Sequence, residues 1–392
     1  MFWLYNLLVF LSFPAFPFIK FSLRKRGKVS LFGRLSAEFP EARGKVLVHA
    51  ASVGEVVSLK PVLDRLGRRA ALTVFTDYGL ERAGSLYPNI PSRLLPLDFY
   101  PVIKSFLKKN RPEKVLIYES EIWPSLLRAC SKLGIPVFFI SGKVSEKAFR
   151  RLLRFRAFLK PLFENVVFLA RSVPDAERAE KLGFRSVKVV GDLKLDVNRP
   201  KEPAPLVLER PRPVILWGST HPGEEDIAVK VHAELKEEFP DLLTVIAPRH
   251  VGRVKELRLP GRTLLRSSSV TVPSTVEFYV VDTLGELPAL YAHADVAVIG
   301  GSFVPGIGGH NPVEALVWKK PVVVGPYSDH FSHIVEMLKI PVCRAEELPN
   351  FLKEALKGEI TSDLSYNLWT ASRGVAERIL EIIGEKVVIE QA

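Results

Sequence analysis

The chain has 392 residues, of which 47% are hydrophobic and 25% charged, so it is a folded globular protein long enough for two domains and not a disordered one. Its formal net charge of +12 favours anionic partners such as an anionic membrane, an acidic substrate or nucleic acid. The two cysteines, Cys130 and Cys343, stand far apart, which excludes a disulfide framework and a C-x-x-C zinc site and favours a reducing compartment.

The first 19 residues form an apolar run without a charge, and about 20 such residues are needed to cross a bilayer. The run lacks the basic start and small-residue cleavage site of a secretory signal. Basic residues follow at Lys20, Arg24, Lys25, Arg26 and Lys28, and such residues stay on the cytoplasmic side. We therefore expect residues 1–28 to be a membrane anchor, either spanning the bilayer or dipping into it; a buried core helix is the alternative.

Short apolar runs that alternate with helical stretches then predict a doubly wound α/β domain over residues 29–200. The runs show no polar alternation, as is typical of parallel strands buried on both faces. They are residues 45–50, 71–76, 114–119, 136–140, 165–170 and 187–191.

Residues 101–160 carry 14 Lys and Arg against four acidic residues. Within this segment, residues 147–160 (KAFRRLLRFRAFLK) place apolar side chains at helical spacing with basic ones between them. The pattern fits a helix on an anionic membrane surface and equally an ordinary surface helix that packs on the core.

Five prolines in residues 198–213 interrupt this rhythm and predict an inter-domain linker over residues 201–213. The α/β pattern then restarts and predicts a second doubly wound domain over residues 214–370. Its strand candidates are residues 213–218, 242–247, 276–282, 295–300 and 321–325.

Polar residues follow the strands of the first domain, where ligands bind in parallel α/β sheets. Glu55 comes just after Gly54 at the predicted start of a helix, where a carboxylate can take a proton from a hydroxyl or simply complement the helix dipole. Glu119 and Glu121 end another strand before Trp123 and Pro124; they could shape a reacting centre, pair with a cation, or cap a helix.

Similar positions in the second domain favour an anion site. Small residues at 218–220, including Ser219 and Thr220, precede a helix N-terminus that attracts negative charge; a plain tight turn is the alternative. Arg249 ends a strand and suits phosphate, and Glu314 on an opening helical turn suits ribose hydroxyls.

The ordered set of motifs resembles the 3-deoxy-D-manno-octulosonic acid (Kdo) transferases of lipopolysaccharide synthesis along nearly the whole chain. The motifs are HAASVGE (49–55), ESEIWPS (119–125), VGDLKLD (190–196), GSTHPGEE (218–225), PRH (248–250), DTLGEL (282–287) and GGHNPVEA (308–315). The resemblance implies a GT-B glycosyltransferase architecture, in which two Rossmann-like domains face a cleft and a C-terminal helix, residues 371–392, returns toward the first domain.

The resemblance also implies roles for individual residues. Glu55 matches the general base, and Glu121 and Lys194 match positions that support the transition state. The positions that match the CMP-binding set are Pro248, Arg249, Leu284, Gly285, Glu286, Asn311, Pro312, Val313 and Glu314. The implied reaction moves Kdo from CMP-Kdo to a lipid A precursor at the inner membrane, without a cofactor or metal ion.

The sequence departs from the family pattern at three places. Asp192 replaces a usual Asn, residues 141–145 (SGKVS) replace a usual N-A-R-L-S, and Gly306 looks like an insertion before Gly308. The first two affect the expected acceptor region, and the third affects the loop beside the nucleotide.

Two other functions fit parts of the sequence. A related transferase would use a UDP-sugar and another membrane lipid, which nucleotide preference would reveal. A non-catalytic membrane-binding or nucleic-acid-binding module would use the basic segment alone; no aromatic RNA-binding motif is visible, so we expect no nucleic-acid partner. The sequence carries no signal for an oligomeric state.

Overall fold

The computed structural model describes residues 1–12, 34 and 36–385. It divides the chain into two compact units. Unit 1 comprises Met1–Asp196 and Gly374–Ala392, and unit 2 comprises Val197–Arg373. The chain therefore enters and leaves unit 2 once each, and its C-terminal segment belongs to unit 1.

Unit 1 contains a seven-stranded parallel sheet with the order β3-β2-β1-β4-β5-β6-β7. The strands are β1 Val46–Ala50, β2 Ala70–Val74, β3 Ser92–Leu94, β4 Lys114–Tyr118, β5 Val137–Gly142, β6 Val166–Ala170 and β7 Ser186–Val189. The reversal of strand order beside β1 places the carboxyl ends of β1 and β4 next to each other, which is where ligands bind in open α/β sheets.

Helices flank this sheet, and four of the described ones begin at hydroxyl caps. Ser52, Thr76, Ser145 and Ser172 each accept a hydrogen bond from a backbone N–H in the first turn of the helix that follows. The helices of unit 1 are α1 Phe2–Ser12, α2 Val53–Ser58, α3 Lys60–Leu66, α4 Asp77–Leu86, α5 Tyr100–Asn110, α6 Pro124–Leu133, α7 Glu146–Leu153, α8 Arg156–Leu159, α9 Val173–Leu182 and, after unit 2, α16 Val375–Ile382.

The predicted membrane anchor is described only over residues 1–12, where α1 lies. Polar side chains attach α1 to unit 1: the Tyr5 hydroxyl donates to buried Asp98 at 2.7 Å, and Asn6 Oδ1 accepts from the Tyr100 backbone N–H at 2.7 Å. Within the described residues, no helix has both the length and the apolar character that a membrane crossing requires. A spanning anchor is therefore not shown.

The basic amphipathic stretch 147–160 forms two short helices, α7 and α8, instead of one. Leu159 and Phe163 are buried, whereas Leu153 and Phe155 are 45% and 58% exposed. Phe158 contacts Tyr5 of α1, with ring centres 6.1 Å apart. Leu159 thus packs inward, as in an ordinary surface helix, while Leu153 and Phe155 face solvent; contact with a membrane surface stays a prediction.

The C-terminal helix α16 is fixed to unit 1 by its N-terminus. The Asp196 carboxylate accepts the backbone N–H groups of Gly374, Val375 and Ala376 at 2.9, 3.1 and 2.7 Å. Beyond the helix, Glu385 forms a buried ion pair with Lys114 at 2.8 Å. One carboxylate therefore holds together the two points at which the chain passes between the units.

Unit 2 contains a six-stranded parallel sheet with the order β11-β13-β10-β9-β14-β15, and β8 pairs separately with β12. The strands are β8 Val207–Leu208, β9 Val214–Thr220, β10 Leu243–Pro248, β11 Thr263–Leu265, β12 Thr271–Val272, β13 Phe278–Val280, β14 Val296–Ile299 and β15 Val322–Val324. The helices are α10 Glu224–Leu235, α11 Leu287–Leu290, α12 Val313–Leu316, α13 Ser332–Met337, α14 Leu348–Leu356 and α15 Asp363–Ser372.

The two parallel sheets confirm the predicted α/β class with two Rossmann-like units. The proline-rich segment 201–213, predicted as a linker, lies inside unit 2, and the chain enters that unit earlier, at Val197. The physical reason is that prolines exclude helices but tolerate a short edge strand: β8 pairs with β12 through Val207 and Leu208.

Candidate active site

Glu55 lies where β1 turns into α2 and is fixed by a reciprocal cap. Its backbone N–H donates to Ser52 Oγ at 3.3 Å, while its carboxylate accepts the Ala51 N–H at 2.7 Å and the Ser52 hydroxyl at 3.2 Å. This resembles the capping box of an S-x-x-E sequence, except that the carboxylate accepts the N–H of Ala51, one residue before the cap. Glu55 therefore does complement the start of the helix. The same hydrogen bonds hold its carboxylate in a fixed position at the carboxyl edge of the sheet.

The surroundings of Glu55 make it a stronger base than an ordinary carboxylate. Burial is the main cause that raises its pKa to about 8; the charges of Glu119 and Glu121 add to the shift, and the hydrogen bonds from Ala51 and Ser52 oppose it. A general base works best with a pKa near the working pH. Glu55 therefore has the position and the proton affinity to deprotonate a hydroxyl.

A lysine–glutamate pair lies in the same group. Lys194 Nζ contacts Glu119 Oε1 at 3.1 Å, and both side chains are less than one-fifth exposed. Glu119 ends β4 with a left-handed backbone, φ 55°. Burial raises the pKa of Glu121, and the charge of Glu119 adds to the shift. The structure thus brings Glu55, Glu121 and Lys194 together and adds Glu119, to which the motif comparison assigned no role.

Two of the departures from the family pattern hold Lys194 in place. Asp192 is buried and accepts the Lys194 backbone N–H at 2.9 Å, and Ser141 Oγ accepts the Leu193 N–H at 2.9 Å. Gly142 passes so close to the Phe168 ring that an added Cβ would lie 2.5 Å from it. These residues support the short turn that presents Lys194.

In unit 2, the turn after β9 is tightly packed. An added Cβ on Gly218 would lie 1.8 Å from the Tyr291 hydroxyl, so only glycine fits there. Ser219 has a left-handed backbone, φ 59°, and is partly exposed. The Thr220 hydroxyl is buried and donates to Glu225 at 2.8 Å. Of the two phosphate-loop candidates, Ser219 faces the surface and Thr220 faces the interior.

Glu224 joins this turn to the glycine turn after β14. Its fully buried carboxylate accepts backbone N–H groups of His221 at 2.8 Å, Gly301 at 2.7 Å and Phe303 at 2.9 Å. Together with Glu225 and Asp226 it also fills the first turn of α10 with negative charge. The acidic helix start was expected to attract an anion, but its own carboxylates already complement the dipole.

The predicted CMP-binding positions lie at the carboxyl edge of this second sheet. Arg249 follows β10, is exposed, and its backbone N–H donates to Thr220 O at 3.0 Å. Burial raises the pKa of Glu314 to about 7, and the charge of Arg249 opposes the shift. Asn311 Oδ1 accepts the Val313 N–H at 3.1 Å and so closes a turn just before α12, beside buried Pro312. Buried Pro248 ends β10.

The loop that contains Leu284, Gly285 and Glu286 is tied to a neighbouring strand end. Buried Arg266 donates twice to the Glu286 carboxylate, at 2.7 and 3.2 Å, and Ser267 binds Asp282 through its backbone N–H at 2.8 Å. Gly285 has a φ of 87°, and Leu284 is 76% exposed. The Glu286 side chain is therefore committed to Arg266, which sequence reasoning missed because 20 residues separate the two.

Comparisons with known proteins identify the family of the chain. The family model described as 3-deoxy-D-manno-octulosonic-acid transferase (kdotransferase) matches residues 25–197. A 3-deoxy-D-manno-octulosonic acid transferase of Haemophilus influenzae is 26% identical over 96% of this chain and 94% of its own length. A probable mitochondrial 3-deoxy-D-manno-octulosonic acid transferase of Arabidopsis thaliana is 32% identical over 79% of this chain and 74% of its own length.

Among solved structures, a putative UDP-N-acetylglucosamine 2-epimerase from Listeria monocytogenes is similar in fold, with a TM-score of 0.59. The two chains are 13% identical, and the match covers 87% of this chain and 96% of the epimerase. At this identity the likeness shows the fold alone. The sequence relatives carry the assignment: the chain belongs to the 3-deoxy-D-manno-octulosonic acid transferase family.

Proposed function

We propose that the protein is an inverting transferase that moves Kdo from CMP-Kdo to the 6′-hydroxyl of a tetraacylated, bis-phosphorylated lipid A precursor, lipid IVA. The observation that carries the proposal is the fixed Glu55 carboxylate, whose pKa lies near 8 beside the Lys194–Glu119 pair. Family membership supports the identity of the sugar.

The reaction is a single displacement at the anomeric carbon of Kdo. Glu55 takes the proton of the acceptor hydroxyl, and the oxygen forms the new glycosidic bond. The bond between the anomeric carbon and the CMP phosphate oxygen breaks, and CMP leaves with that electron pair. Lys194, Glu119 and Glu121 lie in the same group and support the oxocarbenium-like transition state through the fixed charges that they place around it.

Unit 2 holds the donor in this proposal. Arg249 binds the phosphate, and Glu314 accepts hydrogen bonds from the ribose hydroxyls. The exposed Leu284 and the backbone of Gly285 face the nucleotide. The leaving group carries one phosphate, whose charge an arginine and nearby dipoles can balance, so we expect the reaction to need neither a metal ion nor a cofactor.

The acceptor lies in a membrane, and one surface of unit 1 suits such a substrate. Trp3, Leu4, Leu7, Leu8 and Leu11 on α1 are each more than half exposed. The Arg128 guanidinium lies 5.9 Å from the centre of the Phe2 ring of α1, and Phe158 of α8, which follows the basic helix α7, contacts Tyr5 of α1. A helix that inserts apolar side chains into a bilayer and has basic side chains beside them binds preferentially to anionic lipid surfaces. We therefore place the protein at the cytoplasmic face of the bacterial inner membrane.

The test is a transfer assay with freshly generated CMP-Kdo and lipid IVA, followed by mass spectrometry and determination of the linkage site. We expect a product heavier by one or more Kdo residues, linked through the 6′-oxygen. Product only with another acceptor would overturn the acceptor assignment. Turnover of a UDP-sugar and none of CMP-Kdo would instead favour the related transferase that the sequence left open.

A further inference from the structure

His221 and His310 lie end to end at the carboxyl edge of the unit 2 sheet. His221 follows β9, and His310 follows the Gly308–Gly309 turn that comes after β14. Their Nε2 atoms are 2.9 Å apart, their ring planes differ by 9°, and their ring centres are 5.2 Å apart. A short nitrogen–nitrogen contact with such a wide separation of ring centres fits two nearly coplanar rings joined by one N–H···N bond.

This geometry limits how many protons the pair can hold. One proton lies between the two Nε2 atoms, so a neutral pair has a single further proton, on one of the two Nδ1 atoms. Among the residues that the structure describes, neither Nδ1 has a hydrogen-bond partner in the protein. A third proton would make the pair cationic and give it an N–H donor at each Nδ1.

The surroundings keep the pair neutral while no anion is bound. Burial, together with nearby basic groups, lowers the pKa of His310 to about 3, and burial also lowers the pKa of His221. The charged and titratable groups that act on the pair are Glu225, Arg249, His250, Arg253 and His330. Arg253 is paired with Glu225 at 2.9 Å, whereas Arg249 has no ion-pair partner within the described part of the chain.

Other anion-binding groups in these turns are already occupied. Glu224 accepts the N–H groups of His221, Gly301 and Phe303, and the Thr220 hydroxyl donates to Glu225. Arg249 and the histidine pair, beside the surface-facing Ser219 and the exposed His250, can then meet negative charge here. On the proposed function, the donor brings two anions on one carbon: the phosphate and the carboxylate of the acidic sugar.

We propose that the His221–His310 pair binds the sugar carboxylate of the donor and takes up a proton when it does so, while Arg249 binds the phosphate. The inference rests on the proposed function and adds a residue pair that distinguishes an acidic sugar from the nucleotide alone. A charge-assisted hydrogen bond to a carboxylate is stronger than a neutral one, so loss of the pair must weaken binding of this donor.

The test compares two ligands that differ in the sugar. His310→Phe and His221→Phe keep a flat ring and remove the nitrogens; His293→Gln, at a histidine of unit 2 bonded to Ala204 O, is the matched control. For each variant we would measure KM for CMP-Kdo and the inhibition constant of CMP. We expect KM to rise about 10- to 100-fold and the inhibition constant of CMP to change less than about threefold.

Equal shifts for the two ligands would overturn the proposal, because the pair would then contact the nucleotide. Unchanged constants would overturn it as well. Absence of CMP-Kdo turnover in the wild type would refute the proposed function instead, so the two failures are distinguishable.

A measurement on the wild-type protein avoids dependence on variants that fold poorly. Calorimetric titration without acceptor, in two buffers of different ionisation enthalpy, counts the protons taken up on binding. We expect CMP-Kdo to bring about one more proton than CMP near neutral pH. Equal proton uptake for the two ligands would contradict a carboxylate-linked protonation of the pair.

Discussion

Glu55 combines a structural and a chemical task in one side chain. Its carboxylate accepts the Ala51 N–H and the Ser52 hydroxyl, and these bonds fix its direction. Burial nevertheless dominates and raises its pKa to about 8. A carboxylate that served only as a cap would stabilise the fold more if its pKa were ordinary. The raised pKa therefore destabilises the folded state, and it suits a general base.

The first prediction concerns the pH dependence of kcat/KM, which reports ionisations of the free enzyme. Glu55 must be ionised to accept a proton, so kcat/KM should rise about tenfold per pH unit below pH 8 and level off above it. Glu119→Gln removes a negative charge that raises the pKa of Glu55, so the midpoint should move to lower pH. The exposed Glu81→Gln should leave it unchanged. A flat wild-type profile from pH 6 upward would contradict the role of Glu55.

Arg266 controls the orientation of Glu286, and through it the loop that includes Gly285. Arg266→Gln removes two charge-assisted hydrogen bonds. We expect KM for the donor to rise about tenfold, which corresponds to about 1.4 kcal/mol, with kcat within about threefold. The exposed Arg262→Gln, on the same segment, is the control. A fall in kcat with KM unchanged would place Arg266 outside donor binding.

Sequence reasoning located Glu55 because its capping sequence, strand and helix are all local. It pointed to Glu119 without identifying its partner Lys194, and it did not single out Arg266, because the partners of these residues lie 75 and 20 residues away. Spacing along a chain does not report such contacts, whereas the fold does.

At the scale of elements, Glu224 connects the turn after β9 to the turn after β14. Glu224→Gln leaves one oxygen for three N–H donors, so at least one buried donor loses its acceptor. We expect the free energy of unfolding to fall by about 1–3 kcal/mol. The exposed Asp226→Asn in the same helical turn is the control. Chemical denaturation measures both, and equal stability of the two variants would rule out the connecting role of Glu224.

The strands were predictable where they are apolar and central, such as β1 and β9. Strands β3 and β11 were not, because each is a three-residue edge strand with polar residues: Ser92 and Arg93 in one, Thr263 in the other. Such strands form because a neighbouring strand offers free hydrogen-bonding groups, which is a property of the sheet and not of the segment.

At the scale of the whole molecule, the N-terminal helix brings unit 1 to a lipid substrate in our proposal. The double substitution Leu7→Glu, Leu8→Glu introduces charge at two exposed positions of α1. Because a buried leucine contributes about 1.5–3 kcal/mol, we expect at least about a tenfold loss of affinity for anionic vesicles. Leu364→Glu, exposed on α15 of unit 2, is the control. Equal sedimentation of both variants with vesicles would show that α1 does not contribute.

The alternation of apolar strands and helices restarts after the prolines, and this predicted the two units. The pattern did not predict the residues at which one unit ends and the other begins. Prolines suggested that the crossing lies at residues 201–213, whereas the chain changes unit between Asp196 and Val197. Asp196 lies at this boundary, and its carboxylate caps α16 at the other point where the chain changes unit. A local sequence pattern cannot predict a cap that lies 178 residues away.

The central claim is that Glu55 is the base of a Kdo transfer. The most direct measurement is the single-turnover rate of Kdo transfer to lipid IVA by Glu55→Gln, which keeps the size of the side chain and removes the charge. We predict a rate about 10²- to 10⁴-fold below wild type, with unchanged affinity for CMP as evidence of a folded unit 2. A rate within a few fold of wild type would contradict the claim and leave Glu55 as a helix cap only.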